Sequence, residues 1–357
     1  GAATSSALRE RLAQKLGASK APESGNPNVL RVVTKASAPG VTTSLNLTPD
    51  SATVKANIEA FVKAYNDADI QSLAGTISGA GTAAAGAAVS VNEIGGQVAA
   101  TVQNYTLRAA GAVEVDATSS GTIQSIAAGV SGGGTTALAG SNTTNAITSN
   151  VLAKMASVTQ AASSASLRVQ ALDSSIIQSF AGSVAGGGTA AGGAAFALNF
   201  LGRTATNADS SKLVKAEVVN SNLNSAGAVQ VQALSTSVIE SMGLAVGGSG
   251  NAAVTGSNTT NLLEDEITAS WDSAGIMSRA ANSLTIRARD QASIDSLAGN
   301  FSGSGGASVG AALAVNRIGT DTSASMTGNA EAYARDTHVT ASSDTTINTI
   351  AVGMSAG

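Results

Sequence analysis

Apolar and polar residues alternate with a period of two in six short segments spread along the chain. They read AFVKA, VEVDA, LRVQA, VQVQA, LTIRA and THVTA, and end at Ala64, Ala117, Ala171, Ala233, Ala288 and Ala341. Such alternation marks a half-buried strand, because successive side chains of a strand point to opposite faces. It places Val115, Val169, Val231, Ile286 and Val339 inward and Asp116, Gln170, Gln232, Arg287 and Thr340 outward. Six residues after each of these alanines stands an isoleucine that opens a second motif. The copies are IQSLAG at Ile70, IQSIAA at Ile123, IQSFAG at Ile177, IESMGL at Ile239, IDSLAG at Ile294 and INTIAV at Ile347, in steps of 53, 54, 62, 55 and 53 residues.

A third marker follows each of the first five isoleucines at an offset of 22 residues: Asn92, Asn145, Asn199, Asn261 and Asn316. The text before it alternates between a GAA form and GSNTTN, so the larger period is a pair of repeats. Length varies only between this Asn and the next Ala, and most between Asn199 and Ala233. Fixed spacing marks strands locked to their neighbours and variable spacing marks a protruding turn. Each repeat therefore reads as four strand-like pieces. The pattern predicts an all-β fold, a parallel β-solenoid of repeats of roughly fifty-three residues.

Stacking brings equivalent residues of successive coils to about 4.7–4.9 Å. The five asparagines are then expected to form an amide ladder along one edge, at a turn that tolerates the left-handed conformation. Ser72, Ser125, Ser179, Ser241 and Ser296 are expected to form a hydroxyl row, with Thr349 next. The Gly/Ala segments predict a thin, dry contact between sheets, with Ala87 and Ala194 inside it. One wide coil per repeat and two narrower ones are both open at this point.

Residues 1–50 stand apart from the array at 51–357, because all four prolines lie there: Pro22, Pro27, Pro39 and Pro49. Proline cannot donate to a sheet ladder. Leu8, Leu12 and Leu16 share one face of a short amphipathic helix, followed by a Pro-containing linker and a strand near Val29–Val33. The segment reads as an end cap or as an excursion from a longer solenoid. The chain opens at Gly1 without Met, and Ile347 opens a further repeat ten residues before Gly357, so the array is expected to continue.

Composition agrees with a thin interior: 43% of residues are apolar, but only 3% are aromatic, and there are 40 glycines. The net charge of −4 with no basic run excludes a nucleic-acid groove. No stretch is long and apolar enough for a membrane span. Cysteine is absent, which removes disulfides and thiol chemistry.

Candidate chemistry is sparse. His338, the only histidine, falls on an outward row with Glu114, Arg168, Gln230 and Thr285. Glu264, Asp265 and Glu266 form the densest acidic cluster, and adjacent acids point in different directions, so a solvated loop is expected. The glycine runs lack the aspartate of calcium-binding β-roll repeats and open no helix as nucleotide loops do. No catalytic residue, metal site or cofactor is expected. Arg203, Asp209, Lys212, Lys215 and Glu217 crowd the longest insertion. Of these, Arg203, Lys212 and Lys215, together with Glu264, Asp265 and Glu266, are the candidate partner contacts. Trp271 is expected to pack inside.

The series S-x-A-G, G-G-x-x-A, G-A-A-x-x-x-N-x-I and V-x-V-x-A, at Ser72–Ile94 with Val113–Ala117 and again at Ser296–Ile318, resembles the repeat regions of large Gram-negative filamentous exoproteins. These are the filamentous-haemagglutinin-like and leukotoxin-like adhesins, and the resemblance covers residues 60–357. It implies a secreted or cell-surface fibre that serves attachment or biofilm matrix. Its expected partners are its own repeats or identical subunits end to end, and surface glycans or host and cell-surface receptors. The alternative is a polysaccharide-acting enzyme, or a carbohydrate-binding module, on a β-helix scaffold. Residues 45–67 are also similar to flagellar filament-cap proteins, but Ala60, Val62 and Ala64 already sit on the solenoid register.

Overall fold

The computed structural model describes residues 32–36, 42–43, 60–203, 211–272, 278–328 and 332–357. These form a parallel β-solenoid of five stacked coils and the sheet A strand of a sixth, built from two facing sheets with a small two-stranded sheet of Thr106–Leu107 and Thr159–Gln160 between them in sequence. Sheet A carries one long strand per coil: Ala60–Ala80, Ala112–Gly133, Ser166–Gly187, Val229–Ser249, Ser278–Ser304 and Ala332–Ala356. Sheet B returns the chain in two strands in coils 1 to 3, as in Thr136–Ile147 and Asn150–Ala156, and in single strands Ala252–Asp272 and Ala307–Thr327 in coils 4 and 5. The V-x-V-x-A and I-x-S pieces thus fuse into one strand. The alternation runs through both without a break, and no residue between them is proline or needs a turn.

One repeat makes one coil. Ile70 pairs with Ile123, Ile123 with Ile177, and so on through Ile239, Ile294 and Ile347, with every neighbour parallel. Strands of 21 residues at about 3.3 Å per residue span roughly 70 Å, whereas six coils rise only about 25–30 Å. The cross-section is therefore a long, flat loop.

Its interior changes character along that loop. The wide end holds the aliphatic core of Val115, Val169, Val231 and Ile286, closed by Val151, Val214, Ile267 and Trp271 from sheet B. Next comes a layer of buried polar residues, and then a column of Ile123, Ile177, Ile239 and Ile294 against Ile147, Leu201 and Leu263. Beyond these isoleucines the sheets close on small side chains, Ala181, Ala195, Ala197 and Ala245 first, then Ala137, Ala139, Ala185 and Ala191. The loop ends in a tight turn where Gly134, Gly188, Gly250 and Gly305 stack. Gly250 donates its amide to the Gly188 carbonyl and Gly305 to that of Gly250, both at 3.1 Å. A Cβ on any of these four would land on the carbonyl oxygen of the coil before it, so the column demands glycine.

Two expectations change here. Ala87 is exposed and Ala194 only half-buried; the small residues inside the contact are their neighbours Ala88 and Ala195. The ladder asparagines lie within strands, not at a turn, and among non-glycine residues the left-handed backbone falls instead at Asn104, Ser157 and Asn220, at the end of a sheet B strand in each of the first three coils. Before coil 1, Val32–Ala36 pairs with Val62–Asn66, and Thr42–Thr43 with Gln97 and Val98. Parallel pairing thus reaches back past residue 51. The helix read over 5–17 lies outside the described residues.

Candidate functional site

The asparagine ladder is continuous through five coils. Nδ2 of Asn92, Asn145, Asn199 and Asn261 donates to Oδ1 of the asparagine one coil on, at 2.8, 2.8, 2.8 and 2.7 Å. The second proton of each amide goes across the interior to the serine of the same coil. Asn145 donates to Ser125, Asn199 to Ser179, Asn261 to Ser241 and Asn316 to Ser296, each at 2.8 Å, and Asn92 to Ser72 at 2.9 Å. Asn316 ends the series on Thr349 at 2.7 Å. The serines stack in one row, with Thr349 next, and each also accepts from the ladder and so ties sheet A to sheet B. Asn145, Asn199 and Asn261 are fully buried, so each bond is made out of competition with water.

Of the candidate partner contacts, Lys212 and Asp265 are corrected, because both are buried. Glu264, Asp265 and Glu266 lie in the strand Ala252–Asp272 and not in a solvated loop, and Asp209 lies outside the described residues. Lys212–Val219 is a strand of sheet B, with Lys212 in register with Asp265. That register turns Lys212 and Asp265 inward, where both are buried. The Lys212 ammonium reaches Asp173 at 2.5 Å, Asp265 at 3.3 Å, Ser237 at 3.0 Å and Ser175 at 3.3 Å. Burial alone would strip a lysine of its proton, but the two carboxylates outweigh it and its pKa is raised. Burial raises the Asp173 carboxyl despite Lys212. On the next coil but one Asp290 is also raised, first by burial and then by the charge of Asp265. Ser343 donates to Asp290 at 3.1 Å.

The other charges pair along the outside. Arg203 meets Glu264 at 3.3 Å, with both half-sheltered, and Arg317 approaches the same carboxylate at 3.6 Å. Lys215 and Lys154 both hold Glu217 at 2.7 Å. Glu266 points to solvent. Arg168 grips Asp116 through two nitrogens at 2.7 and 3.1 Å and touches Glu114 at 3.3 Å, with Lys63 on the other side of Asp116 at 3.6 Å. His338 stands exposed beside Thr285, on the outward row expected for it. Among the described residues no group of three or more His, Cys, Asp or Glu is placed to hold a metal ion. Among them, too, no helix is long and apolar enough to cross a membrane.

The sequence reading missed the outer face of sheet A over the Gly/Ala contact. There Leu73, Ile126, Phe180, Met242, Leu297 and Ile350 form one outward column. Ile77, Val130, Val184, Val246, Phe301 and Met354 form another, four residues further along. Gln124, Gln178, Glu240 and Asp295 rim the first column and share a groove of about 630 Å³ with it. The signal was present: Leu73 stands three residues after inward-facing Ile70, and an odd offset in a strand means the opposite face.

Comparison of the chain with protein-family models, with curated proteins and with solved structures finds no match.

Proposed function

We propose that this chain is a stiff, structural and adhesive length of a secreted or cell-surface fibrous protein, built for attachment or matrix formation. The observation that carries the reading is the continuous register of one repeat per coil, with the same amide ladder threading five coils. Such an array resists bending because every coil is joined to the next by backbone bonds along about 70 Å of strand. Solenoids of this kind grow by adding coils, and each strand of sheet A repeats the parallel register of the one before it, as Ala332–Ala356 does on Ser278–Ser304. Identical subunits end to end would continue that register. The resemblance to filamentous-haemagglutinin-like and leukotoxin-like exoproteins supports the extracellular setting, with surface glycans or cell-surface receptors as partners.

Electron microscopy of the purified chain tests this reading. Ribbons about 70 Å wide that lengthen along the coil axis are expected, with a diffraction spacing near 4.8 Å along that axis. Isolated particles that never elongate, or cleavage of a polysaccharide that is lost in Glu264→Gln or Glu266→Gln, would overturn it.

A further inference from the structure

We propose that the apolar stripe on the outer face of sheet A is a lateral pairing surface that takes a second copy of this chain. The two outward columns enclose a third of Gly75, Ala128, Gly182, Leu244, Gly299 and Val352, so the stripe is three columns wide in all six coils and carries no charge. Ten of its side chains are 40–90% exposed. Together they leave on the order of 800 Å² in water, more than the ~300–600 Å² of the largest patch on a typical monomer and equal to one partner's share of a standard interface.

Three observations identify the occupant. The columns recur once per coil, at about 4.8 Å, so a partner that fills them over the whole height must carry the same axial period. This chain's own stripe does. Second, the rim is polar with two acids and no base: Gln178 donates to Glu240 at 2.7 Å and Asn348 to Asp295 at 2.8 Å. Such a rim disfavours an anionic lipid surface, whereas two copies related by a twofold axis can set polar rim beside polar rim. Third, the opposite face does not offer the same run. On sheet B the column of Ala85, Leu138, Gly192, Val254 and Val309 is apolar throughout, but the next column of large residues, Val89, Phe196 and Leu313, is interrupted by Asn142 and Asn258 at every second coil, so sheet B has no pair of continuous large-residue columns.

Sedimentation equilibrium of the full chain, over 1–100 µM as a working range of about the Kd expected for a weak-to-standard interface, tests the pairing. The smallest associating species of the wild type is expected to be the dimer, with longer end-to-end assemblies built from pairs of chains. Ile126→Lys with Val184→Lys should weaken dimerisation at least ~100-fold, as two charges enter an apolar contact. Both side chains point outward, so the circular dichroism spectrum and melting midpoint should stay at wild-type values. If the double variant does not fold, the near-isosteric Val184→Thr should still weaken the dimer. A monomeric wild type overturns the proposal. So does wild-type association that the variants leave unchanged, which would place the contact at the strand edges and leave the fibre reading intact. Flotation of the wild type with neutral phosphatidylcholine vesicles, without self-association, would also overturn it in favour of a lipid surface.

Discussion

Asn145 Nδ2 lies 2.8 Å from Asn199 Oδ1, and the same nitrogen lies 2.8 Å from Ser125 Oγ. A single amide thus joins two coils along the axis and two sheets across the interior. It stands where the core passes from isoleucine to alanine and hydrophobic contact becomes thin. Neither the carbonyl nor the amino group can be dispensed with, because each side chain is acceptor to the coil before and donor to the coil after.

Asn199→Ala should therefore be among the most costly single substitutions in the chain. It removes its own bonds and leaves the Asn145 donor and the Asn261 acceptor buried and unpaired, at about 1–3 kcal/mol each. The same change at Asn316, which is less buried, should cost markedly less. Urea unfolding of the two variants measures the difference, and equal midpoints would show that the ladder contributes nothing beyond shape.

Lys212→Met should destabilise by about 3–5 kcal/mol, because it leaves Asp173 and Asp265 buried without their cation. Adding Asp173→Asn and Asp265→Asn to Lys212→Met should restore much of that loss by removing the stranded charges. Unfolding followed by fluorescence of Trp271, buried in the same coils, reports on both variants. A single Lys212→Met variant as stable as the wild type would show that the two carboxylates are already neutral.

The buried carboxyls give the fold an unusual response to acid. Asp290 and Asp173 have pKa values raised above the ordinary 3.8, so the folded state takes up their protons before the unfolded state does. Their contribution to stability therefore rises as pH falls through the raised values, and is complete once pH drops below 3.8. Glu217 acts the other way. Burial pushes its carboxyl up, but hydrogen bonds from Lys154 and Lys215 outweigh that and lower it below 4.5. Its stabilisation is present above 4.5 and is lost as pH falls through the lowered value. Melting temperature should thus climb on mild acidification before it drops. Asp290→Asn should flatten the climb and raise stability at neutral pH; an Asp290→Asn profile parallel to the wild type would exclude Asp290 as a cause.

Ala195→Leu should overpack the contact between sheets and cost about 1–3 kcal/mol or more, since Ala195 is fully buried among Ala181, Ala197 and Ala245. Ala87→Leu, on the outer face, should melt with the wild type. The paired thermal scans check the phase of the strand, and the reverse order would mean that the small-residue segment is turned the other way.

That phase shows where the reading of the chain failed. Period-two alternation can be seen only when the two faces differ in character. In VEVDA they do, and Val115 was placed inside from the text alone. In the stretch around Ala83–Ala88 both faces are Ala or Gly, so the pattern has no amplitude. Around Leu73 the pattern is inverted, since Ser72 and Ala74 face in and Leu73 faces out.

What the sequence by itself determined is the register. Constant offsets from Ala to Ile to Asn admit one in-register parallel stack, because a one-residue slip would turn every inward valine to solvent. The tertiary structure alone decided the rest: that one repeat makes a single coil, and that the serines answer the asparagines. It also decided that Lys212, which reads as a candidate partner contact on the longest insertion, is drawn inside. The reason is physical: these depend on which side chains of sheet B stand opposite which of sheet A. That distance across the interior is set by the close approach of alanine and glycine, and no spacing along the chain encodes it.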